Sequence, residues 1–583
     1  MATIQAKTIR GHKYWYIVAS RRVNGKPRPV VLAYLGKADT LLKRLQGLTE
    51  GLKLKSYSHG AVAALLNTAH TLDIGPLING YIQSPRSYRA DQPIRNNLTA
   101  GITLLLGAIG RICMPTSKRG WWTWAQGTSL EYLLRCSLSK IDSQHFWDLM
   151  DALPVEAISP IEQELARRTM AAYHVESDSL FYDTTNFYTY IHTTNAHCTV
   201  AQRGKNKQKR YDLRQVGLAL VVTKEDMIPL FHQTYQGNLN DVTVFAGLMG
   251  NIRERMRQLG LDSEKHTVVF DRGNNSKKNL ATIEEVLGLH YVGALTPYHH
   301  QQLIRDAEKG FKQVTVGART LQVYRDKRVV WSKERTVVVY VSEQLKAGQI
   351  RGLHQSLQKK EKALQELQQS LGSARGKKRD KQQLQERIKN LLKERYIRDI
   401  VQWSLTEVTQ GKFALRYSIN HETLREIEDA FGFRIVMTDR HEWTTEQIVT
   451  AYHGQSTIEQ AFKNVKNPYH LALRPQFHWT DQKIIVHFFI CVLGYLLAML
   501  VWREVKRTTG FKATLDSLLD TLNGIRLCTI LEEKKTSGKM KATYKLEEMT
   551  KEEEKIVAAL RIKDLHINRP ILNGVGVYTS EKL

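Results

Sequence analysis

The spacing of apolar residues changes along the chain, and each change predicts a change of element. Residues 7–35 alternate apolar and polar positions around an Asn24-Gly25 turn signal, the period of a β-hairpin or small sheet. From 38 to 175 the period lengthens to that of helices, over 39–48, 58–73, 97–113, 128–137 and 145–170. A loop at 114–129 interrupts them with Trp121, Trp122 and Trp124, beside Lys118 and Arg119. The run SLFYDTTNFYTY at 179–190 predicts a strand, and 213–223 and 227–237 predict two more joined by a short turn. Residues 241–258 read as a helix, TVVF at 267–270 as a short buried strand, 277–287 as a helix and 289–295 as another strand. From 297 to 430 the character changes: three alternating stretches predict a β-meander, and 351–399 carry leucines at helical spacing on either side of a basic break, an antiparallel helical hairpin. Strands resume at 413–419 and 433–439. In YHGQSTIEQAFKNVK, 452–466, Ile458, Ala461, Phe462 and Val465 form the stripe of an amphipathic helix. The stretch 484–502 is about long enough to cross a bilayer. It contains His487, stands alone and follows a charged region, so a buried core helix is expected, with no membrane partner. Residues 511–583 are amphipathic and charged, with a helix near their end.

Length and charge narrow the class. A chain of 583 residues is too long for one hydrophobic core, so three or four domains are expected. With 42% hydrophobic and 24% charged residues the composition is that of a soluble globular protein. The 85 basic residues exceed the 57 acidic ones, giving +28 and a pI near 9.7. That balance points to a polyanion, most simply nucleic acid, though a ribosome-associated or membrane-surface protein shares it. The five cysteines are scattered without a CxxC pair, which argues against disulfides or a zinc finger and for a reducing compartment. The amino terminus lacks the apolar stretch of a signal peptide, so a cytoplasmic protein is expected. Arg21, Arg22, Lys26 and Arg28 lie close to Tyr14, Trp15 and Tyr16, either a DNA-binding ribbon or a solvated sheet face. The loop 202–214 sets Arg203, Lys205, Lys207, Lys209, Arg210 and Arg214 against one aspartate, a candidate phosphate contact.

Three carboxylates stand out. Asp183 sits mid-strand among Phe181, Tyr182, Phe187 and Tyr188, where burial is costly unless it is paired or binds a metal; an edge position facing water is the plainer alternative. Asp271 ends a strand and precedes a glycine turn and a helix, a common place for a catalytic carboxylate in α/β folds and also for a helix cap. Glu459 shares a helical face with Gln455, Lys463 and Lys466, which suits a metal and a phosphate or simply an exposed Glu–Lys pair. Carboxylates that converge can hold two divalent ions about 4 Å apart. Oxygen ligands favour Mg²⁺, with Mn²⁺ as a substitute. The order of elements from 179 to 294 fits a mixed sheet of the ribonuclease-H-like type.

The sequence resembles the DDE transposases of bacterial insertion sequences, in the branch marked by a Tyr-x2-Arg-x3-Glu-x6-Lys signature. Tyr452, Gln455, Glu459 and Lys466 match its spacing, with Gln455 where the signature has Arg. DTT at 183–185, RG…DLRQ at 203–215, GN…D at 237–241, DRG at 271–273, RP…H at 474–478 and YLGK at 34–37 extend the likeness to about residue 505. The resemblance implies that Asp183, Asp271 and Glu459 are the catalytic, metal-binding triad. It implies that Tyr452 and Lys466 touch DNA near the scissile phosphate; Gln455 can hydrogen-bond there but supplies no charge. Lys463, Arg272, Arg474 and His478 complete the expected DNA contacts. Relatives stack a flipped base on an insertion-domain aromatic, for which Trp331 and Trp403 are candidates, although packing is the plainer role.

The expected architecture is multidomain α/β. A β-hairpin element (1–37) and a helical DNA-end-binding domain (38–175) precede a ribonuclease-H-like core (176–296 and 431–505). A β-rich insertion with a helical hairpin (297–430, hairpin 351–399) interrupts the core, and a helical region (506–583) follows it. The expected partners are double-stranded DNA, as terminal inverted repeats and target, and a second copy pairing the two ends. A structure-specific nuclease and an inactive, domesticated DNA-binding derivative are the competing readings.

Overall fold

The computed structural model describes all residues except 1, 10–11, 24–25, 40–51, 83–97, 176–177, 193, 205–209, 240, 262–264, 272–274, 373–379, 475–476, 533–540 and 573–583. The chain forms two compact units. One comprises Met1–Ile161, Val465–Pro475 and Gln482–Leu583, the other Glu162–Asn464 and Gln476–Asp481.

In the first unit the alternation at the amino terminus builds three antiparallel strands rather than one hairpin: β1 (Ala2–Ile9), β2 (His12–Val23) and β3 (Lys26–Gly36). β4 (Leu52–Ser58) pairs with β16 (Arg526–Glu532), which pairs with β17 (Lys541–Leu546). The carboxyl-terminal region is therefore not purely helical. Its two strands are only seven and six residues long, and the charged stretches that flank them make the region read as helical. The helices Gly60–Thr71 and Ala100–Cys113 are almost wholly buried. Helix Asp481–Thr509 is long and apolar enough to cross a membrane, yet 94% of its most apolar window is buried inside the protein. Its His487 is buried too, its Nε2 bonded to the Leu473 carbonyl at 3.0 Å, so the polar residue inside this helix has a structural partner.

The second unit is a mixed α/β structure on a nine-stranded sheet. Its strands are β5 (Ser179–Tyr188), β6 (Gln215–Thr223), β7 (Pro229–Gln236), β8 (Thr267–Phe270), β9 (His290–Leu295), β10 (Lys312–Val316), β11 (Arg319–Val330), β12 (Lys333–Val341) and β15 (Phe433–Thr438). The spatial order is β10-β11-β12-β15-β9-β8-β5-β6-β7. β5, β8 and β9 run parallel and the other neighbours antiparallel. All nine residues of β6 and all four of β8 are buried, which is why they read as continuous apolar runs. The meander at 312–341 does not stand apart from this sheet: β12 joins it through β15.

What stands apart is the segment between β12 and β15. It contains α2 (Glu343–Gly372), α3 (Lys381–Leu391) and the two-stranded ribbon β13 (Val401–Thr409) and β14 (Lys412–Ile419). Helix α1 (Asp241–Gln258) precedes them in the chain, on the sheet. Leu353, Leu357, Leu364 and Leu367 of α2, with Ile388, Val401 and Leu415, give the segment a core of its own. After β15, α4 (Thr445–His453) starts at a capping box in which the Thr444 hydroxyl and the Gln447 side chain satisfy each other's backbone N–H. Gly454 then turns the chain into α5 (Ser456–Lys466).

Candidate active site

The site begins with strand register. β5 and β8 are parallel, and their last paired residues are Tyr182 and Phe270. The next residue on each is an aspartate, so Asp183 and Asp271 leave adjacent strands side by side, roughly 4.8 Å apart between backbones. Asp183 continues into a ladder with Leu220 of β6, so β5 is a central strand and Asp183 is half-buried, not placed at an edge in open water. Side chains alternate along a strand. Tyr182 and Phe270 turn toward Phe245 of α1, with ring centroids 5.5 and 5.1 Å away, and the aspartates leave from the opposite face.

Helix α5 begins on that opposite face. Phe181 shares it with Asp183, and Gly454 lies so close that a Cβ there would stand 2.5 Å from Phe181 Cζ. Ile458, Ala461, Phe462 and Val465 are buried, as the stripe predicts, while Glu459 and Lys463 are exposed. Gln455 is buried, and its carbonyl accepts the Glu459 N–H at 3.4 Å. Among the described residues no three His, Cys, Asp or Glu side chains are gathered to hold one metal ion. The arrangement is a register-matched pair of aspartates with Glu459 on a nearby helix, not a closed cluster of three. Two carboxylates side by side on neighbouring strands are a donor set that suits a hard divalent cation.

Past Asp271 the chain is pinned back to the sheet: Asn275 Nδ2 donates to the Ala294 carbonyl of β9 at 2.8 Å. Asp271 lines a cleft of about 890 Å³ together with Tyr452, Leu295 and Arg434. The same cleft is lined by residues that sequence reasoning missed. The Arg395 guanidinium lies between the rings of Tyr298, at 4.2 Å, and Tyr396, at 4.7 Å. Tyr396 holds φ at +70°, a conformation most residues avoid. Their local signal is an Arg-Tyr pair at the end of a charged helix, which reads as a solvated tail. Tyr340 Oη of β12 and His453 Nε2 of α4 are 3.0 Å apart, and burial pushes the Tyr340 phenol above its ordinary range.

The expected DNA contacts are dispersed. Lys205, Lys207, Lys209 and Arg272 lie outside the described residues. Arg203 is exposed, and Arg210 is exposed with an Asp212 partner at 2.7 Å. Arg214 donates to the carbonyls of Asn195 and Cys198 at 3.0 and 3.3 Å, and His478 is buried. Lys466 and Arg474 are half-buried, and the Arg474 carbonyl accepts from Arg111 at 3.0 Å. Trp331 occupies the tight turn between β11 and β12 with φ +50°, and Trp403 packs on the core of the inserted segment. Neither lines the cleft that holds Asp271.

The chain matches the family model described as a transposase DDE domain over residues 180–497, a span that opens at β5 and contains Asp183, Asp271 and Glu459. No curated protein matches it. A cryo-EM structure of a piggyBac transposase synaptic complex with hairpin DNA is similar over 79% of each chain, at 10% identity and a TM-score of 0.38, a likeness too distant to carry an argument. The family match covers more than half of the 583 residues and includes both of these aspartates, and the protein therefore belongs to the transposases with a DDE domain.

Proposed function

We propose that the protein is the transposase of a bacterial insertion sequence, which binds the terminal inverted repeats of its element, cleaves at their 3′ ends and joins them to target DNA. The observation that carries this reading is the register that sets Asp183 beside Asp271 where the parallel pairing of two central strands ends. The order β7-β6-β5-β8-β9, three antiparallel strands followed by two parallel to β5, supports a ribonuclease-H-like core.

In this reading Asp183, Asp271 and Glu459 would hold Mg²⁺ or Mn²⁺. Such ions, when bound, activate a water or a 3′-hydroxyl and stabilise the leaving oxygen at a phosphodiester. The chain's own residues position the DNA. Tyr452 stands in the cleft wall with Asp271, and Lys463 shares the exposed face of α5 with Glu459. Phosphate contacts from a +28 chain would dominate affinity and make it strongly salt-dependent. Two ends must be paired, so the working form is a dimer on DNA, in the bacterial cytoplasm.

The test is cleavage and joining of DNA carrying the repeats that flank the reading frame, with purified protein, Mg²⁺ and an Asp271→Asn control. Metal-dependent nicking at a repeat end followed by joining, both lost in the variant, is expected. Nicking without joining would replace the proposal with a nuclease, and tight binding without nicking would replace it with an inactive DNA-binding derivative.

A further inference from the structure

The carboxylate site leaves one surface of the second unit unused. Beyond β5 the chain presents Tyr190, which is 55% exposed. Its ring lies 5.6 Å from that of Phe477, 57% exposed, with the planes 30° apart. Trp479, 48% exposed, belongs to the same short segment, and its ring meets His197 edge-on at 5.9 Å. Large aromatic faces grouped in water mark a surface that something else covers.

These rings are held in place. Asn195 Nδ2 donates to the Trp479 carbonyl at 2.8 Å. The Asp481 carboxylate accepts the backbone N–H groups of Thr199 and Val200, each at 2.9 Å, and the Thr199 hydroxyl at 2.6 Å. Arg214 clamps the carbonyls of Asn195 and Cys198. Thr189 N–H bonds to the Arg214 carbonyl at 2.8 Å, so the basic loop is rooted beside Tyr190. Binding a flat ligand here needs little ordering of the protein.

Charge selects the occupant. The sequence from 186 to 201 contains no acidic residue, Asp481 is engaged as described, and the described residues of the loop that follows set Arg203, Arg210 and Arg214 against Asp212. A ligand with flat π faces and a negatively charged backbone matches apolar rings at a cationic rim. A second copy of a +28 chain does not match, because like charge opposes it. In a duplex the base faces are already stacked on one another, so the fitting form is unpaired.

We propose that Tyr190, Phe477 and Trp479 form a stacking platform for unpaired nucleotides of a DNA strand, distinct from the carboxylate site. The proposal rests on the reading that the protein handles DNA. The test is fluorescence anisotropy of the full chain without divalent cations, using a labelled oligothymidine and a blunt duplex of the same length. Phe477→Ala and Trp479→Ala are each expected to weaken oligothymidine binding about tenfold, in line with the loss of one stacked base, and to leave duplex affinity within about twofold. Phe477→Trp is expected to keep the wild-type affinity, and all three side chains are exposed enough for the variants to retain the wild-type melting temperature. Equal losses on both probes, or no loss on either, would overturn the platform while leaving the DNA reading intact. Wild-type protein that binds neither probe would overturn both. Variants that change sedimentation and not oligothymidine affinity would overturn the platform and mark the rings as an interface between copies.

Discussion

At the start of β9, Asp439 accepts from the Tyr291 N–H at 3.1 Å and pairs with His290 Nδ1 at 2.7 Å, while Arg440 reaches Thr267 Oγ1 at the start of β8. Nearby, Glu284 accepts from the Tyr291 hydroxyl at 2.8 Å and from Arg335, a guanidinium only 2% exposed. Where the parallel pairing of β5 with β8 ends, Asp183, in the middle of β5, is half-buried and Asp271 is exposed in a cleft. The same sheet thus commits acids to structure at one end of its parallel strands and presents them at the other. The cause is topological. Connections at the carboxyl ends of parallel strands diverge and leave a crevice, whereas the amino-terminal ends are closed by the returning chain. A carboxylate's place along the sheet says more about its role than its place in the sequence.

The comparison can be broken most directly at the strand ends. Asp183→Asn and Asp271→Asn are each expected to lower strand cleavage by about 10³-fold or more with the melting temperature unchanged. Asp439→Asn is expected to do the reverse: the folded fraction keeps its cleavage rate, and the melting temperature falls. If Asp439→Asn silences folded protein while Asp271→Asn does not, the assignment of the two ends is wrong. Next in size, Glu284→Ala leaves Arg335 buried without its carboxylate and is expected to cost about 3–5 kcal/mol in urea unfolding.

Acid gives a third lever, and it acts in the other unit. Burial, and secondarily His566, lower the His59 imidazole to about 4. Unfolding returns it to the ordinary value of about 6.5, so between those pH values the unfolded chain binds the extra proton. Stability is complete above about 6.5 and falls as pH drops toward 4, by on the order of 3 kcal/mol at the foot of the window. His59→Asn is expected to flatten that slope in melting experiments across the window. A slope that persists unchanged would place the titrating group elsewhere. The smallest effect is expected at the helix junction: Gly454→Ala pushes a methyl into Phe181 and should cost about 1–3 kcal/mol, with a matching loss of cleavage because α5 shifts against Asp183. Unchanged cleavage in that variant would detach α5 from the site.

Much of this contrast is legible in the sequence. Asp271 follows three apolar residues and precedes a glycine turn, and Glu459 lies beside the stripe formed by Ile458, Ala461 and Phe462, so local periodicity locates both. Pairing between distant strands has no such signal. β12 joins β15 about a hundred residues later, as Val338 pairs with Val436, and Leu54 of β4 pairs with Ile530 of β16. That is why the meander reads as a separate insertion and the carboxyl-terminal region as helical. The cleft residues Tyr298, Arg395 and Tyr396 escape for the same reason, because only the fold brings them into one cleft with Asp271. Trp331 and Trp403 are candidates only through the resemblance, and a tight turn and a hydrophobic cluster account for their positions.

The inserted segment has one more consequence, for how such a protein changes over evolutionary time. Val341, where the chain departs, and Phe433, where it returns, are cross-strand partners, and Ser342 N–H bonds to the Gly432 carbonyl at 2.9 Å. The whole appendage hangs from a point where an ordinary hairpin turn would close the ladder. A lineage can exchange, enlarge or shed it at that single graft point while the strand register holding Asp183 and Asp271 stays as it is. The part of the cleft formed by Arg395 and Tyr396 would change with it, while the strands that carry the two aspartates would not.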